Sequence, residues 1–166
     1  MVVIVLIGVA LTAATVMFHG LGTVLWIRFM RSRYGRGHGN AAGHERSSTE
    51  SGNTNPTPSS MKIIWILCYT TVILAVLHVA EVALWATAYM SISGIEQPAG
   101  VEEAFYFSMV TFTSLGYGDV VISSPWRILS GIEAMAGMLV FGWSSALLLA
   151  ALTRMLKIAE SDVSDR

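Results

Sequence analysis

Three long apolar segments constrain the fold of this chain more than any other feature. Residues 2–27 contain no Asp, Glu, Lys or Arg, and residues 63–90 and 126–153 are 28-residue runs that are nearly as apolar. A membrane-spanning helix needs about 20 apolar residues, and a helix of 28 residues reaches roughly 42 Å. We therefore predict three transmembrane helices. A cleaved signal peptide explains the first segment less well, because the segment has no basic start and exceeds the usual apolar length of about 7–15 residues.

The overall composition supports lipid as the surrounding solvent. Charged residues make up 13% of the chain, about half of the ~25% found in soluble domains. The only cysteine, Cys68, lies in an apolar run and cannot form a disulfide within the chain. Such a residue is best interpreted as a small buried apolar side chain.

Residues 28–60 differ sharply from their surroundings. They are rich in Gly, Ser, Asn, Pro and Arg, which predicts a flexible connector. His38 and His44 lie in it, but two histidines without cysteine or carboxylate spacing are weak evidence for a metal site. Six of the ten basic residues lie between positions 28 and 62, so the positive-inside rule predicts a cytoplasmic connector. The N-terminus would then be outside the cell and the C-terminus, after Arg154 and Lys157, in the cytoplasm.

A fourth apolar segment is too short to cross the membrane. It runs from Val101 to about Thr113 and predicts a re-entrant helix followed by irregular backbone. Irregular backbone at membrane depth is tolerated only where protein buries it or a water-filled cavity faces it. This segment is therefore the first indication of a pore.

The residues that follow, "SLGYGD" at positions 114–119, resemble the selectivity filter of the potassium-channel family, whose usual form is Thr-Val-Gly-Tyr-Gly-Asp. The resemblance covers roughly residues 63–153 and includes "MAGMLVFGWSSALL", which is similar to the inner helix of these channels. It implies that backbone carbonyls replace the water around a permeant potassium ion. The implied ion-binding residues are Ser114, Leu115, Gly116, Tyr117 and Gly118, with K+ at the first four; no cofactor is expected. Because one chain carries one filter segment, the resemblance also implies a homotetramer.

Three residues depart from the family pattern. Ser114 replaces threonine, Leu115 replaces valine, and Val110 stands where several relatives have a glutamate behind the filter. These changes alter the packing around the filter more than the chemistry of its carbonyls. They leave a weakly selective cation channel open as an alternative to a potassium-selective one.

Other candidate residues follow from the resemblance and from charge. Asp119 marks the outer mouth, where Glu96, Glu102 and Glu103 would add to a negative vestibule; solvated loop residues are an equally good interpretation of the glutamates. Gly137 is the candidate gating hinge, although close helix packing is an alternative. The candidate cavity-lining residues share one helix face: Met138, Phe141, Ser145 and Leu149.

Several ionisable residues lie inside the predicted spans, where they are costly unless they face protein or water. His78 and Glu81 are three residues apart and could bind each other, and Glu133 could brace the filter. We treat His78, Glu81 and Glu133 as a candidate buried polar cluster, with pH sensitivity as a hypothesis and satisfied internal hydrogen bonds as the alternative. His19 is a further ionisable residue of this kind. Three aromatic residues are predicted to lie in the interfacial belt: Trp85, Tyr89 and Trp126.

The sequence thus predicts an all-α membrane protein of the plasma (inner) membrane, with three transmembrane helices, a re-entrant pore helix and a filter. The predicted boundaries are an N-terminal helix at 1–27, the connector at 28–60, a pore domain at 61–158 and a tail at 159–166. Within the pore domain, the outer helix is placed at 63–90, the pore helix at about 101–113, the filter at 114–119 and the inner helix at 126–156.

The predicted function is passive potassium conduction by a homotetramer in lipid, without a nucleic-acid partner and without enzyme activity. A non-conducting membrane subunit, with the N-terminal helix as its interaction surface, is the alternative from a different class. In that case a partner would bind through the N-terminal helix near His19, Gly20 and Gly22.

Overall fold

The computed structural model describes residues 1–34, 60–95 and 98–164. Four helices make up the fold of these residues: α1 (Val2–Tyr34), α2 (Ser60–Ser91), α3 (Val101–Phe112) and α4 (Arg127–Ser164). The described part contains no strand, which confirms the predicted all-α fold. Stretches of α1, α2 and α4 are long and apolar enough to cross a membrane. The 12-residue α3 reaches only about 18 Å, so it is too short to do so.

The three long helices pack against one another in alternating directions. Thr15 and Gly22 of α1 meet Trp85 and Leu77 of α2, so α1 and α2 are antiparallel. Gly8 of α1 lies against Ile132, near the start of α4. Further along both helices His19 contacts Ser144, so α1 and α4 are parallel. The start of α1, the end of α2 and the start of α4 therefore lie on the same side, as three successive membrane crossings require.

Small residues bring α1 close to its neighbours. A β-carbon at Gly22 would lie 2.6 Å from a methyl carbon of Leu77, and one at Gly8 would lie 2.5 Å from the Cδ1 of Ile132. Helices that associate in lipid commonly use small residues at such contacts. The N-terminal helix thus packs on the chain's own α2 and α4.

The buried core lies where α3 meets α2 and α4. Trp85 and Tyr89 of α2 are almost completely buried there, as are Phe112 of α3 and Leu129 and Val140 of α4. This core positions the short helix, and therefore the segment that follows it, against both long helices.

The structure corrects several local predictions. Cys68, predicted to be buried, is exposed on the single chain, because its side of α2 is not covered by another described helix. α1 continues to Tyr34 and α2 begins at Ser60, so both ends of the predicted connector are helical, while its residues 35–59 lie outside the described part. α4 runs to Ser164, through most of the predicted tail. The basic residues mark where an apolar run ends, but Arg and Lys are good helix formers and do not end a helix.

The interfacial interpretation of Trp85 and Tyr89 is wrong. Their side chains are 0% and 1% exposed, and both donate hydrogen bonds inside the protein. Both residues lie towards the end of an apolar run, and a position in the sequence does not show which face of the helix is covered by its neighbours. Trp126, the third residue of the predicted belt, is half-buried and packs against the core.

Candidate functional site

The backbone of residues 114–118 alternates in the sign of φ. Ser114, Gly116 and Gly118 have φ values of 59°, 58° and 78°, whereas Leu115 and Tyr117 between them are not in the positive region. Alternation between left- and right-handed conformations aligns successive N–H groups on one side of the chain, and the same geometry directs successive carbonyls to the other side. Glycine adopts positive φ without strain, which accounts for Gly116 and Gly118.

Hydrogen bonds fix the start of this segment to the last turn of α3. The N–H of Ser114 donates to the carbonyl of Thr111 at 2.9 Å. The N–H groups of Leu115 and Gly116 both donate to the carbonyl of Val110, at 2.9 and 3.2 Å. Val110 therefore braces the segment through its backbone, although its side chain cannot supply the hydrogen bond that the family's glutamate would.

The far end of the segment is held by a second contact to α3. The hydroxyl of Tyr106 donates a hydrogen bond of 2.6 Å to Asp119. This bond lowers the pKa of the Asp119 carboxyl below its usual range, and it raises the pKa of the Tyr106 hydroxyl. Asp119 is thus a carboxylate at neutral pH, directly after the last glycine.

A buried three-residue set lies behind the segment and joins three helices. Tyr89 of α2 donates to a carboxylate oxygen of Glu133 on α4 at 2.7 Å, and Ser108 of α3 donates to the other oxygen. The side chains of Glu133 and Ser108 are both 0% exposed. Glu133 therefore holds the short helix against α2 and α4, at the level of the buried core.

His78 and Glu81 belong to a different set, so the structure divides the candidate polar cluster into two sites. The Nδ1 of His78 lies 3.0 Å from one oxygen of Glu81, and the Nδ1 of His19 on α1 lies 2.8 Å from the other. The Nε2 atoms of both histidines face the hydroxyl of Ser144 on α4, at 3.1 and 3.2 Å. We call these four residues the histidine ring.

Donor atoms of His19, His78 and Glu81 lie within 4.8 Å of one another, close enough to share a metal ion. Each of these nitrogen and oxygen atoms already has a hydrogen-bonding partner inside the histidine ring. We therefore interpret the set as a hydrogen-bonded ring and not as a set of metal ligands.

Gly137 lies where α4 crosses the end of α3. A β-carbon there would lie 2.9 Å from the carbonyl carbon of Phe112 and closer still to its oxygen. Because these are backbone atoms, they cannot rotate away. The structure therefore gives Gly137 a packing role within one continuous helix, and its proposed role as a hinge stays a prediction.

The candidate cavity-lining residues do not share one environment. Met138 and Leu149 are 58% and 64% exposed on the single chain, and Ser145 is also exposed. Phe141 instead packs inside the chain, with ring centroids 4.5 Å from His78 and 5.8 Å from Phe112. Three of the four side chains could therefore face a cavity or a partner, whereas the side chain of Phe141 already packs on residues of its own chain.

The acidic residues of the predicted outer vestibule also differ. Glu103 accepts the N–H of Ala99 at 2.6 Å, in the first turn of α3, where a carboxylate is favourable. Glu102 is exposed. Glu96 lies outside the described residues.

The sequence interpretation missed three hydroxyl residues that bind buried polar side chains. Their position in the middle of the apolar helices is the signal that could have found them. Thr15 accepts the indole N–H of Trp85 at 3.0 Å, Ser144 completes the histidine ring, and Ser108 binds Glu133. Each is a hydroxyl in the middle of an apolar helix, where an ionisable or indole group elsewhere in the chain needs a partner. Comparing how far each of these hydroxyls lies from the ends of its apolar span would have named them as candidate partners, but only the folded arrangement of the spans fixes the pairs.

The comparisons with known proteins agree with this architecture. Residues 63–154, more than half of the chain, match the family described as "Ion channel", and the chain belongs to that family. The inward rectifier potassium channel Kirbac3.1 of Paramagnetospirillum magnetotacticum is 32% identical over 82 residues, which is 47% of this chain and 28% of that protein. The chain thus spans well under half of this relative's length. No solved structure matches the chain.

These findings confirm the resemblance to potassium-channel pore domains. They place the chain in a family of ion channels, and the three candidate spans fit a membrane protein.

Proposed function

We propose that this protein is a potassium-selective channel that conducts K+ passively through the backbone carbonyls of residues 114–118. The observation that carries this proposal is the alternating sign of φ at Ser114, Gly116 and Gly118. A dehydrated potassium ion must regain the oxygen ligands that it lost from water, and rows of carbonyls directed to one axis supply them. The similarity to an inward rectifier potassium channel supports potassium as the permeant ion.

The position of α3 adds an electrostatic contribution. The C-terminal end of a helix carries a partial negative charge of about half an elementary charge, which favours cations. α3 ends at Phe112, two residues before Ser114. The helix that positions the filter therefore also stabilises a cation near the start of it.

A homotetramer supplies the remaining carbonyls, because one chain contributes only one row. Leu115 and Tyr117 are 56% and 68% exposed on the single chain, although both are large side chains of the filter. A cavity of about 340 Å³ opens beside the same segment, lined in part by Val110 and Gly131. Neighbouring copies around an axis would cover these side chains and complete the wall.

The proposed topology follows from the directions of the helices. α1 and α4 begin on the side of the filter, and α2 begins on the opposite side. With the basic residues between 28 and 62 in the cytoplasm, the filter opens on the outer face of the plasma membrane.

Flux from liposomes tests the proposal with a matched pair of variants. Gly116 and Gly94 both have positive φ, 58° and 93°, but only Gly116 lies in the filter. Alanine at either position forces an unfavourable left-handed conformation, which costs roughly 1–2 kcal/mol. We expect potassium flux down its gradient, blocked by barium, from the unmodified protein and from Gly94→Ala. Gly116→Ala is expected to lose that flux.

Equal flux from Gly116→Ala and the unmodified protein would contradict the carbonyl filter. Equal sodium and potassium flux from the unmodified protein would instead support the weakly selective channel. A specific observation favours testing this second function: Ser114 is the only non-glycine residue with positive φ among the described residues, and it also departs from the family's threonine.

A further inference from the structure

The histidine ring is a closed circuit of four polar contacts. Going round it, Glu81 contacts the Nδ1 of His19, the Nε2 of His19 contacts Ser144, Ser144 contacts the Nε2 of His78, and the Nδ1 of His78 returns to Glu81. The four distances lie between 2.8 and 3.2 Å, which is the range of hydrogen bonds. The imidazole rings of the two histidines stack, with centroids 5.2 Å apart.

The ring lies deep inside the protein, near the middle of all three long helices. His19 and Glu81 are 0% exposed, Ser144 is 6% exposed, and the side chain of His78 is 14% exposed. Their positions are close to the midpoints of the candidate spans Val2–Ser32, Ile63–Ser91 and Arg127–Leu156. No bulk water is available at that depth to satisfy a donor or acceptor that the ring leaves unpaired.

Counting hydrogens shows that the ring needs one proton more than a carboxylate, two neutral imidazoles and one hydroxyl supply together. Four contacts need four hydrogens. Ser144 supplies one, and each neutral histidine supplies one, because a neutral imidazole carries a single N–H. A carboxylate supplies none, so Glu81 with two neutral histidines gives three. The last contact would then join the hydroxyl oxygen to a second bare nitrogen, with no hydrogen between them.

One additional proton completes the ring and also neutralises it. With the proton on either imidazole, a doubly protonated histidine donates to both Glu81 and Ser144, and the total charge is zero. The same count holds if the proton resides on Glu81. A buried charge without a partner is costly, so the neutral ring is the stable arrangement at this depth.

We propose that the histidine ring is a binding site for a single proton, which joins α1 to α2 and α4. Loss of this proton leaves one contact without a hydrogen and a net negative charge in the middle of the membrane. Release of the proton therefore weakens the contact of Ser144 with one of the two histidines, and so the packing of α4 against α1 or α2. The site does not depend on conduction and stands even if the proposed potassium selectivity is wrong.

Among the described residues, the surroundings supply no other charge that could balance the ring. Apart from its own members, the groups described next to it are the rings of Trp143, in edge contact with His19, and of Phe141, packed on His78. The next charged residue along α1 is Arg28, and those along α4 are Glu133 and Arg154, each at least nine positions away. Both carboxylate oxygens of Glu133 already accept hydrogen bonds, from Tyr89 and Ser108.

Glu81→Gln is a matched test because it changes the hydrogen count and nearly nothing else. A glutamine amide has two N–H hydrogens and a carbonyl. One of its hydrogens is donated within the ring and the carbonyl accepts another, so the ring of this variant has four hydrogens while both histidines are neutral, and the second amide hydrogen lies outside the ring. Ser144→Ala removes two contacts and with them the missing hydrogen, but without the additional proton Glu81 still carries a buried negative charge. Glu81→Gln thus removes both reasons for the additional proton, whereas Ser144→Ala removes only one of them.

The measurement is the midpoint of thermal unfolding of the full chain in detergent, between about pH 7 and pH 9. In this range the separated side chains are a carboxylate and neutral imidazoles. The folded protein then holds one proton more than the unfolded chain, so its stability falls as the pH rises, by up to tenfold in the folded-to-unfolded ratio per pH unit.

We expect the midpoint of the unmodified protein to fall across this range and that of Glu81→Gln to stay level. Ser144→Ala is expected to start lower and to keep a shallower fall with pH, because Glu81 still carries a buried charge when the proton is lost. A level profile for the unmodified protein, or the same slope in Glu81→Gln, would overturn the proposal. So would a rise in the midpoint with micromolar zinc that His78→Asn abolishes, because the ring would then hold a metal ion and not a proton.

Discussion

Replacing Gly137 with alanine tests how α4 is held against the helix that carries the filter. The added β-carbon would lie 2.9 Å from the carbonyl carbon of Phe112 and closer still to the oxygen, whereas real β-carbons essentially never approach another atom within 3.0 Å. The obstacle is backbone, so α4 and α3 must separate. Overpacking of this kind typically costs about 1–3 kcal/mol.

Two other glycines of α4 provide matched controls. A β-carbon at Gly131 or Gly142 would meet nothing in the chain within 4 Å, and alanine is favoured over glycine in a helix by roughly 1 kcal/mol. Gly142→Ala is therefore expected to be neutral or stabilising by up to about 1 kcal/mol. Gly131→Ala is the weaker control, because Gly131 lines the cavity beside the proposed filter. Gly137→Ala shares the gain in helix propensity, so it should fall below the controls by the overpacking cost alone, roughly 1–3 kcal/mol.

The assay is thermal unfolding of the purified protein, together with potassium flux from liposomes. Because Phe112 lies two residues before Ser114, we expect Gly137→Ala to lose selective flux as well as stability. If Gly137 served only as a bending point, alanine would change channel opening and leave the unfolding midpoint at the level of the controls. That result would refute the packing argument.

Three further predictions concern the contacts around the filter. Tyr106→Phe removes the hydrogen bond that lowers the pKa of Asp119; the carboxylate then takes up a proton at a higher pH, so the loss of flux on acidification should begin at a higher pH than in the unmodified protein. Glu133→Ala leaves two buried hydroxyl groups without a partner, at about 1–3 kcal/mol each, and its unfolding midpoint should fall well below that of Glu133→Gln. Trp85→Phe removes the donor to Thr15 and also leaves unfilled volume in the buried core, so it should cost more than the hydrogen bond alone, which contributes about 1 kcal/mol; a change below the error of the unfolding measurement would show that neither the bond nor the packing contributes.

The class of fold could be predicted from sequence because lipid imposes a simple requirement. Three runs long enough to cross a membrane, one run too short to do so and a glycine-containing segment after it left few alternatives. The proposed filter came instead from the resemblance of residues 114–119 to the potassium-channel family, and the positive φ values of Gly116 and Gly118 agree with it. The fold prediction depended on length and composition alone, whereas the filter stays a prediction.

The polar contacts between helices could not be predicted in the same way. Glu133 lies on a different helix from His78 and Glu81. Nothing in the sequence pattern shows that Glu133 binds Tyr89 and Ser108 and not the other two members of the predicted cluster. The packing of α1 depends on the depth at which His19 meets Glu81, which only the folded arrangement of the spans determines.

Glycine positions illustrate the same limit. Gly131, Gly137 and Gly142 look alike in the sequence of α4, yet only Gly137 meets the backbone of another element. Whether a helical glycine is needed depends on what lies opposite its missing side chain, and that is a property of the tertiary structure.

The reversal potential of a single-channel or macroscopic current tests the central claim most directly. With a tenfold potassium gradient across the bilayer and sodium added to equalise total cation, a potassium-selective filter predicts a reversal potential near 59 mV in magnitude, about the value for one charge per tenfold gradient. A reversal potential near zero would mean that residues 114–118 do not discriminate between the two cations, and it would contradict the proposed filter.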